Sequence, residues 1–449
     1  MNMEFRNIIY SFILAAFCAM PSLASAQEAA HSGPWSLSDC ISYAIDHNIT
    51  IKQQDLHRKN QEIALNTAKN SRLPDLNGSV NENFSFGRGL TSSNTYSNNN
   101  TSSTGFSLGS SVPVFQGLRI RNSIKESELN LQAATEDLEK VKDDIRVQVA
   151  QAYVQILYDM ELLDVALNQV SIDSLQVDRL SEMELNGKAS ASEVAQQKAA
   201  LGQSRLNATQ ARNDLNIALL DLSQLLELHN PEGFSVVRPS RDIENLLLPS
   251  PDDIYADAVT AKPVIRAEEF RLKAYDWTIK NAKSGYMPTI SLSGGIGTNY
   301  YTLSGAHNDS FADQMKHNFS QYVGLSLSVP IFNKLQNRNQ VRSAQLSKIN
   351  QELQLESAKK SLYKEIQQAY YNAVAAQEKY RSSTDALASA KESYDLMLAK
   401  YENGKANITE FNESRDSYLS AESTLVRARY EYLYSASLLD FYRGHQLTL

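Results

Sequence analysis

Two regions of the chain alternate apolar and polar residues, as β-strands with one apolar face do. In the first region, apolar side chains occupy every second position over about 75–87 and again over about 103–113. The second region repeats this pattern over about 288–302 and 319–330, with serine and glycine between the apolar residues. A strand that spans a membrane needs about 9–11 residues, and such alternation is its signature. The pattern therefore predicts two β-hairpins that cross a membrane.

Polar segments join the two strands of each hairpin. Residues 91–103 are rich in serine and asparagine, and residues 304–318 are also mainly polar. We expect both segments to be outer loops, because long outer loops are typical of membrane β-barrels. A pair of water-soluble hairpins, each with one wet face, is the alternative that this alternation leaves open.

Long stretches without proline flank the hairpins and show a helical period. No proline occurs in 114–230 or in 331–449, and an interior proline would cost a helix about 3 kcal/mol. Apolar residues at 145, 149, 152 and 156 follow the spacing of one helix face. The predicted helices cover 36–48, 50–72, 118–185 and 190–228 in the first half, and 251–261, 264–284, 335–402 and 407–442 in the second.

The chain contains the same unit twice. The motif Ser-Val-Pro-Val-Phe at 111–115 returns as Ser-Val-Pro-Ile-Phe at 328–332, and Asn-Gly-Lys-Ala at 186–189 returns at 403–406, both 217 positions later. Self-similarity at a fixed offset indicates a repeated structural unit. We therefore divide the chain into a first repeat at 27–230, a connector at 231–250 and a second repeat at 251–449.

The N-terminus predicts export. Residues 1–26 contain an early Arg6, a short apolar core and a small-x-small cleavage site at Ala24-Ser25-Ala26, which together are typical of a secretory signal peptide. After cleavage only Cys40 remains, so no disulfide can form within the chain. No later segment has the ~20 consecutive apolar residues of a membrane helix.

Composition argues against two large functional classes. A net charge of −8 is unlike that of nucleic-acid binders, which usually have a basic face. None of the seven histidines has the spacing of a zinc motif, and no nucleophile with a matching base is visible. We therefore expect no nucleic-acid partner, no catalytic residues, no metal site and no cofactor.

Four strands cannot close a barrel by themselves. An open sheet edge in lipid leaves backbone groups unpaired, at several kcal/mol each. Two copies would supply eight strands, whose barrel interior is filled by side chains, whereas three copies would supply twelve and leave a lumen. Closing the strands into a ring would also close the long helices into a tube. The chain must therefore self-associate to enter a membrane.

The hairpin and long-helix unit, its duplication, the Val-Pro-(Val/Ile)-Phe corners and the Asn-Gly-Lys-Ala turns resemble the TolC-type outer-membrane factors. The resemblance implies a mainly α fold with a membrane β-barrel part: a homotrimer whose 12-stranded barrel is continuous with an α-helical periplasmic tunnel. It implies a passive conduit in the outer membrane for a tripartite efflux or secretion system. The implied partners are outer-membrane lipid, a periplasmic adaptor (membrane fusion) protein and an inner-membrane pump. A passive porin and a secreted coiled-coil scaffold are the alternatives.

The resemblance also implies two sites at the helix turns. The turns would dock the adaptor, through Asn186, Gly187, Lys188, Asn403, Gly404 and Lys405. The family narrows its tunnel mouth with acidic side chains six and nine residues after the second-half glycine, which here are Glu410 and Glu413. Glu193 is the first-half counterpart of Glu410 and a candidate partner that braces this gate. The alternatives are ordinary turn chemistry and a solvated helix face near Arg415.

Overall fold

A computed structural model gives the structure of this chain and describes residues 33–90, 94–228, 233–238, 248–304 and 306–448. The predicted signal peptide at 1–26 lies outside the described residues, as does much of the connector predicted at 231–250. The boundaries of the two repeats stay a prediction.

Helices of equal length occur in both halves of the chain. The first half contains α1 (Leu37–His47), α2 (Ile49–Asn70), α3 (Arg119–Leu185) and α4 (Ala191–Leu225). Their counterparts are α5 (Pro251–Ala261), α6 (Pro263–Ser284), α8 (Gln336–Glu402) and α9 (Ile408–Tyr442). The four pairs have 11, 22, 67 and 35 residues in each half. At about 1.5 Å per residue, α3 and α8 are rods of roughly 100 Å. In the described part of the chain, no helix is long and apolar enough to cross a membrane.

One antiparallel sheet holds all four strands in sequence order. The strands are β1 (Asn77–Leu90), β2 (Tyr96–Gln116), β3 (Thr289–Leu303) and β4 (Ser320–Ser328). The register places apolar side chains on one face, with pairs such as Val80–Phe106, Leu108–Ile296 and Leu292–Leu325. The other face holds mainly serine, asparagine and glycine, as in the pair Ser79–Ser107, together with Tyr301 and Tyr322. The edges of the sheet, β1 and β4, are far apart in sequence.

The strand boundaries differ from those predicted, most of all at the start of β2. β2 begins at Tyr96 rather than near 103, because the pairing with β1 continues without a break to Leu90–Tyr96. Much of the polar segment at 91–103 is therefore strand rather than loop, since backbone pairing along a hairpin needs no apolar side chains. β4 ends at Ser328, before the Val329-Pro330 corner, and the segment 304–318 contains a short helix, α7 (Phe311–His317).

Side-chain amides around α7 take the place of β4 beside the outer end of β3. The Gln314 amide accepts a hydrogen bond from the Tyr301 backbone N–H and donates one to its carbonyl, both at 2.9 Å. Asn318 donates to the carbonyl of Asn299 at 2.8 Å, and Asn308 pairs with both backbone groups of Leu303. These bonds satisfy backbone groups that a longer β4 would otherwise pair.

The corners between strands and long helices use left-handed backbone. Gly117 and Leu118 have φ values of +60° and +67°, and their counterparts Lys334 and Leu335 have +53° and +63°. A Cβ atom at Gly117 would lie 2.7 Å from the Cβ atom of Met287, so only glycine fits the first corner. The second corner accommodates a lysine at the equivalent position.

The helices are ordered in the same way as the strands. Contacts run from α2 to α3, from α3 to α6 and from α6 to α8, which parallels the order β1-β2-β3-β4. This follows from connectivity, because each of these helices directly precedes or follows one strand. The largest apolar core forms where α1, α3 and α4 meet, around Val149, Ile156 and Leu222. At the far end of the rods, the turns α3–α4 and α8–α9 lie side by side.

Candidate functional site: the paired helix tips

The turn that ends α3 is a Schellman motif. Asn186 is its C-cap, and Gly187 follows with φ +70°. The Gly187 N–H donates to the Glu184 carbonyl at 2.9 Å, and the Lys188 N–H donates to the Met183 carbonyl at 2.8 Å. Glycine at this position avoids the steric cost that a Cβ atom brings to left-handed backbone.

The turn that ends α8 has the same geometry. Gly404 has φ +69°, and the Lys405 N–H donates to the Lys400 carbonyl at 2.8 Å. The Asn403 side chain donates to the Ala399 carbonyl at 2.7 Å, as Asn186 does to Glu182 at the same distance. Helix-terminating turn chemistry therefore accounts for the asparagine and glycine of both motifs.

Both helices that leave the turns begin with a capping box. The Glu193 carboxylate accepts hydrogen bonds from the backbone N–H of Ser190 at 2.7 Å and from its hydroxyl at 3.0 Å. The Glu410 carboxylate accepts a hydrogen bond from the backbone N–H of Asn407 at 3.0 Å. The equivalence of Glu193 and Glu410 in the two repeats thus has a local cause, because glutamate at this position stabilises a helix start.

The two tips pack on a shared apolar cluster. It is built from the buried residues Leu180, Val194, Ile408 and Phe411, one or two from each of α3, α4 and α9. Tyr401 of α8 stacks on Phe411 with ring centroids 5.0 Å apart. Burial raises the pKa of Tyr401, and the nearby Glu193 carboxylate raises it further.

A groove of about 560 Å³ lies between the two turns. It brings together several side chains that the sequence singles out, namely Lys188, Glu193, Gly404, Lys405 and Glu410. Asn186, Gly187, Asn403 and Glu413 do not line it. Arg179 of α3 and Glu402 of α8 form an ion pair of 2.8 Å and also line the groove. The groove therefore presents both charge signs beside an apolar floor.

An acidic face runs along the first turns of α9. Glu410 and Glu413 are exposed, and the structure adds Asp416, whose side chain is 67% exposed. Residues three apart on a helix are neighbours, so the three carboxylates form one continuous strip. The opposite face of α9 packs inward through Ile408, Phe411 and Arg415.

A buried ion pair joins the two hairpins above the tips. The Arg415 guanidinium donates from Nη1 to Oδ1 of Asp173 at 2.8 Å, with the two side chains 8% and 0% exposed. Asp173 also accepts hydrogen bonds from the Gln169 amide at 2.9 Å, the Gln197 amide at 3.2 Å and the Ser204 hydroxyl. We call these five residues the buried polar node. It connects α3, α4 and α9.

Three buried polar atoms in the node or near Arg415 in sequence have no hydrogen-bond partner in the part of the chain that the structure describes. Gln197 Oε1, Asn412 Oδ1 and Ser414 Oγ are buried without a hydrogen-bond partner among the described residues. Unsatisfied buried groups cost about 1–3 kcal/mol each.

A family model described as outer membrane efflux protein matches residues 40–227 and 254–445. The chain belongs to this family. Outer membrane protein TolC of Escherichia coli (strain K12) is 24% identical over 383 residues, which cover 82% of this chain and 74% of TolC. Cation efflux system protein CusC of Escherichia coli (strain K12) is 23% identical over 400 residues, which cover 87% of this chain and 82% of CusC.

Solved structures show the same fold. A crystal structure of CusC, described as forming a transmembrane channel, has a TM-score of 0.75 at 19% sequence identity, with 91% of each chain covered. The Campylobacter jejuni CmeC outer membrane channel also has a TM-score of 0.75, at 18% identity, with 92% of this chain and 87% of that chain covered. The duplicated arrangement of strands and long helices is therefore shared with known channels.

Membership in the outer membrane efflux protein family confirms the resemblance to TolC-type factors and the outer-membrane localisation. The protein is an outer-membrane efflux channel, which favours the conduit prediction over the secreted-scaffold and porin alternatives. Sequence reasoning found the turns and the first two acids, but it missed Asp173, Asp416 and the role of Arg415. The spacing of Gln169 and Asp173, four apart on an otherwise apolar seam, is the signal that could have indicated the node.

Proposed function

We propose that three copies of the chain close into a continuous channel, which passively conducts cargo outward and is gated at the helix tips. The observation that carries this proposal is that the sheet and the helix layer are open at the same two edges. The sheet ends at β1 and β4, and the helices attached to these strands, α2 and α8, end the helix layer. A single rotational symmetry that joins β1 of one copy to β4 of the next therefore also joins α2 to α8, so that the sheet and the helix layer both become closed rings. Three copies give the twelve strands that leave a lumen.

Exposed apolar side chains on the two edge helices support this closure. On α2, Leu56 and Ile63 are 59% and 63% exposed, and on α8, Leu346 and Leu353 are 67% and 60% exposed. Such rows are unusual on a surface that faces only water. In the proposed ring, α2 of one copy packs against α8 of the next and buries both rows.

The two faces of the sheet fit a lipid side and a lumen side. We assign the face with Val80, Phe84 and Phe86 to lipid and the serine- and asparagine-rich face to the lumen. Glu82 is an exception on the apolar face. Its carboxylate accepts a hydrogen bond from the Ser102 hydroxyl at 2.6 Å and another from Thr104, which reduces the cost of placing it there.

The acidic face of α9 is proposed as the periplasmic gate. In a trimer, Glu410 and Glu413 would form stacked rings of three carboxylates, and such rings attract cations and favour their passage. Asp416 would lie one turn further along the same face, where Arg415 partly neutralises its charge. Glu193 caps α4 beside Tyr401 of α8, so it would brace the gate by fixing the start of its helix.

The groove between the turns is proposed as the docking surface of a periplasmic adaptor in a tripartite system with an inner-membrane pump. Lys188 and Lys405 offer positive charges on either side, while Glu193 and Glu402 offer negative ones. The turn residues Asn186, Gly187, Asn403 and Gly404 would set the shape of the surface. A mixed-charge rim around an apolar floor is the usual anatomy of a protein interface.

A planar-bilayer measurement tests the gate. The double variant Glu410→Gln with Glu413→Gln removes both charges, and glutamine at 410 preserves the capping box. We expect a lower cation-to-anion permeability ratio and weaker block by divalent cations. Glu62→Gln, at an exposed position on α2, is the matched control and should leave both unchanged. Unchanged selectivity and block in the double variant would refute the gate.

Cross-linking in cells tests the docking surface. A photoreactive amino acid in place of Lys188 or Lys405 should capture an adaptor protein, whereas the same residue at Lys59, on α2, should not. Failure at both tip positions, with normal insertion in the outer membrane, would refute docking at this groove.

A further inference from the structure

The acidic start of α9 contains a single cation. Between 408 and 426 the only basic residue is Arg415, among the acids Glu410, Glu413, Asp416 and Glu422. Arg415 lies two residues beyond Glu413 and directly before Asp416. A guanidinium so close to the acidic face would compensate much of its charge if it pointed toward the mouth.

The structure places this guanidinium between Asp173 and Asp416, with no ion pair to Glu410 or Glu413 among the described residues. Its side chain is 8% exposed and points toward α3, where it meets the fully buried Asp173. Its remaining contact with the acidic face is with Asp416 Oδ1, at 2.9 Å from Nη2 and 3.2 Å from Nε. Glu410 and Glu413 remain exposed outside this pair. Asp173 thus neutralises the charge that would otherwise oppose them.

Asp173 is itself firmly positioned. Gln169 donates to the Asp173 carboxylate from the same helix, α3, and Gln197 and Ser204 donate to it from α4. Two helices therefore hold the carboxylate independently of Arg415, which contacts it from a third helix. A charge-assisted bond to such an acceptor is among the stronger hydrogen bonds in proteins. The first hairpin therefore offers Arg415 a preorganised acceptor.

We propose that Asp173 determines the ion selectivity of the channel from a distance, because it sequesters Arg415 and leaves the charges of Glu410 and Glu413 uncompensated. The proposal rests on the proposed gate at Glu410 and Glu413 and extends it to the first hairpin. Asp173 acts as a positioning residue and makes no contact with the passing ion. The first hairpin thereby sets the charge that the second hairpin presents.

The expected effect follows from Coulomb's law. One unit charge about 10 Å from an ion in water changes the ion's local concentration about twofold. Removing the charge of Asp173 takes one negative charge from beside Arg415 in each copy, and three copies share the mouth. The cation-to-anion permeability ratio should therefore fall by about twofold or more.

Reversal potentials in planar bilayers under a salt gradient test the proposal on the full chain. Asp173→Asn keeps the shape of the side chain and frees the Arg415 charge, so the ratio should fall toward that of the Glu410→Gln/Glu413→Gln channel. Adding Arg415→Gln to Asp173→Asn removes the second charge of the pair and should restore the wild-type ratio. This rescue separates an electrostatic role from a structural one.

Two results would overturn the proposal. One is an unchanged ratio in Asp173→Asn while Glu410→Gln/Glu413→Gln lowers it, which would leave the gate intact and exclude the sequestration. The other is a lowered ratio in Asp173→Asn/Arg415→Gln, which would mean that the node shapes the mouth rather than setting its charge. This second variant remains a test where Asp173→Asn alone does not assemble, because its pair carries no buried charge and a lowered ratio would still overturn the proposal.

Discussion

The hairpins α3–α4 and α8–α9 have the same lengths and the same turn geometry, but their interiors differ. In α8–α9, Tyr380 stacks on Tyr432 at 6.0 Å, and Tyr394 stacks on Tyr418 at 5.5 Å. The equivalent positions in α3–α4 are aliphatic, and they are Leu163, Leu215, Val177 and Leu201. Two pairs of stacked rings therefore join α8 to α9, whereas the first hairpin has aliphatic side chains at all four positions.

Polar residues show the opposite distribution. Gln169, Asp173 and Ser204 of the first hairpin are buried, whereas Ala386, Ala390 and Ala421 occupy the equivalent positions of the second. The second hairpin contributes Arg415, whose counterpart Lys198 is exposed. The two repeats kept their turns and caps, which depend on local chemistry, and diverged where they contact each other. The first hairpin therefore supplies the buried acceptor, and the second supplies both the cation that it holds and the exposed acids.

Breaking the buried polar node should have the strongest effect on stability. Arg415→Ala leaves the Asp173 carboxylate buried and unpaired, and such a loss costs about 3–5 kcal/mol. We expect a clearly lower midpoint of thermal unfolding for the protein in detergent. Lys198→Ala, at the equivalent exposed position of the first hairpin, is the matched control and should shift the midpoint little. Equal shifts for the two variants would contradict the assigned asymmetry.

A smaller and symmetric effect is expected at the turns. Gly187→Ala and Gly404→Ala each place a Cβ atom on left-handed backbone, at a cost of about 1–2 kcal/mol. Since neither new Cβ atom would meet a neighbouring group within 4 Å, the backbone is the sole source of strain. Thermal unfolding should show equal shifts. With equal unfolding, a difference between the two variants in the yield of photo-cross-linking to the adaptor would reflect docking. Unequal unfolding would show that the two turns are not equivalent.

The weakest effect concerns the stacked tyrosines. Tyr380→Leu and Tyr432→Leu convert one ring pair to the residues of the first hairpin. A double-mutant cycle on unfolding should give a coupling of about 0.5–1.5 kcal/mol, the value of an aromatic pair beyond its buried area. Leu163→Ala and Leu215→Ala provide the comparison cycle in the first hairpin. Coupling no larger for the tyrosines than for the leucines would show that stacking adds nothing to the second hairpin.

Local signals in the sequence predicted much of this fold. The positions of proline and the Asn-Gly turns placed the long helices to within about three residues, because both act on the backbone at their own position. The start of β2 and the presence of α7 could not be predicted in the same way. Both depend on pairing of the backbone with a partner outside the segment itself, such as Leu90 for Tyr96 and Tyr301 for Gln314, and this pairing leaves no pattern of apolar and polar residues in the sequence.

The candidate site was predictable in a similarly uneven way. The turn residues and Glu410 have local sequence signatures, because a capping box and a Schellman motif each involve only about six consecutive residues. Asp173 and Arg415 are 242 positions apart, and their pairing depends on how two hairpins pack. Without knowledge of that packing, the sequence does not show that this acid on one helix and this basic residue on another form an ion pair.

The proposed channel, gate and docking surface all require that one chain is an incomplete ring, which further copies complete. Native mass spectrometry of the protein, extracted from the outer membrane in mild detergent, measures the number of copies. We expect a single species with the mass of three chains, in which cysteines placed on β1 and β4 form disulfides between copies. A stable single-chain species that conducts ions by itself would contradict this closure.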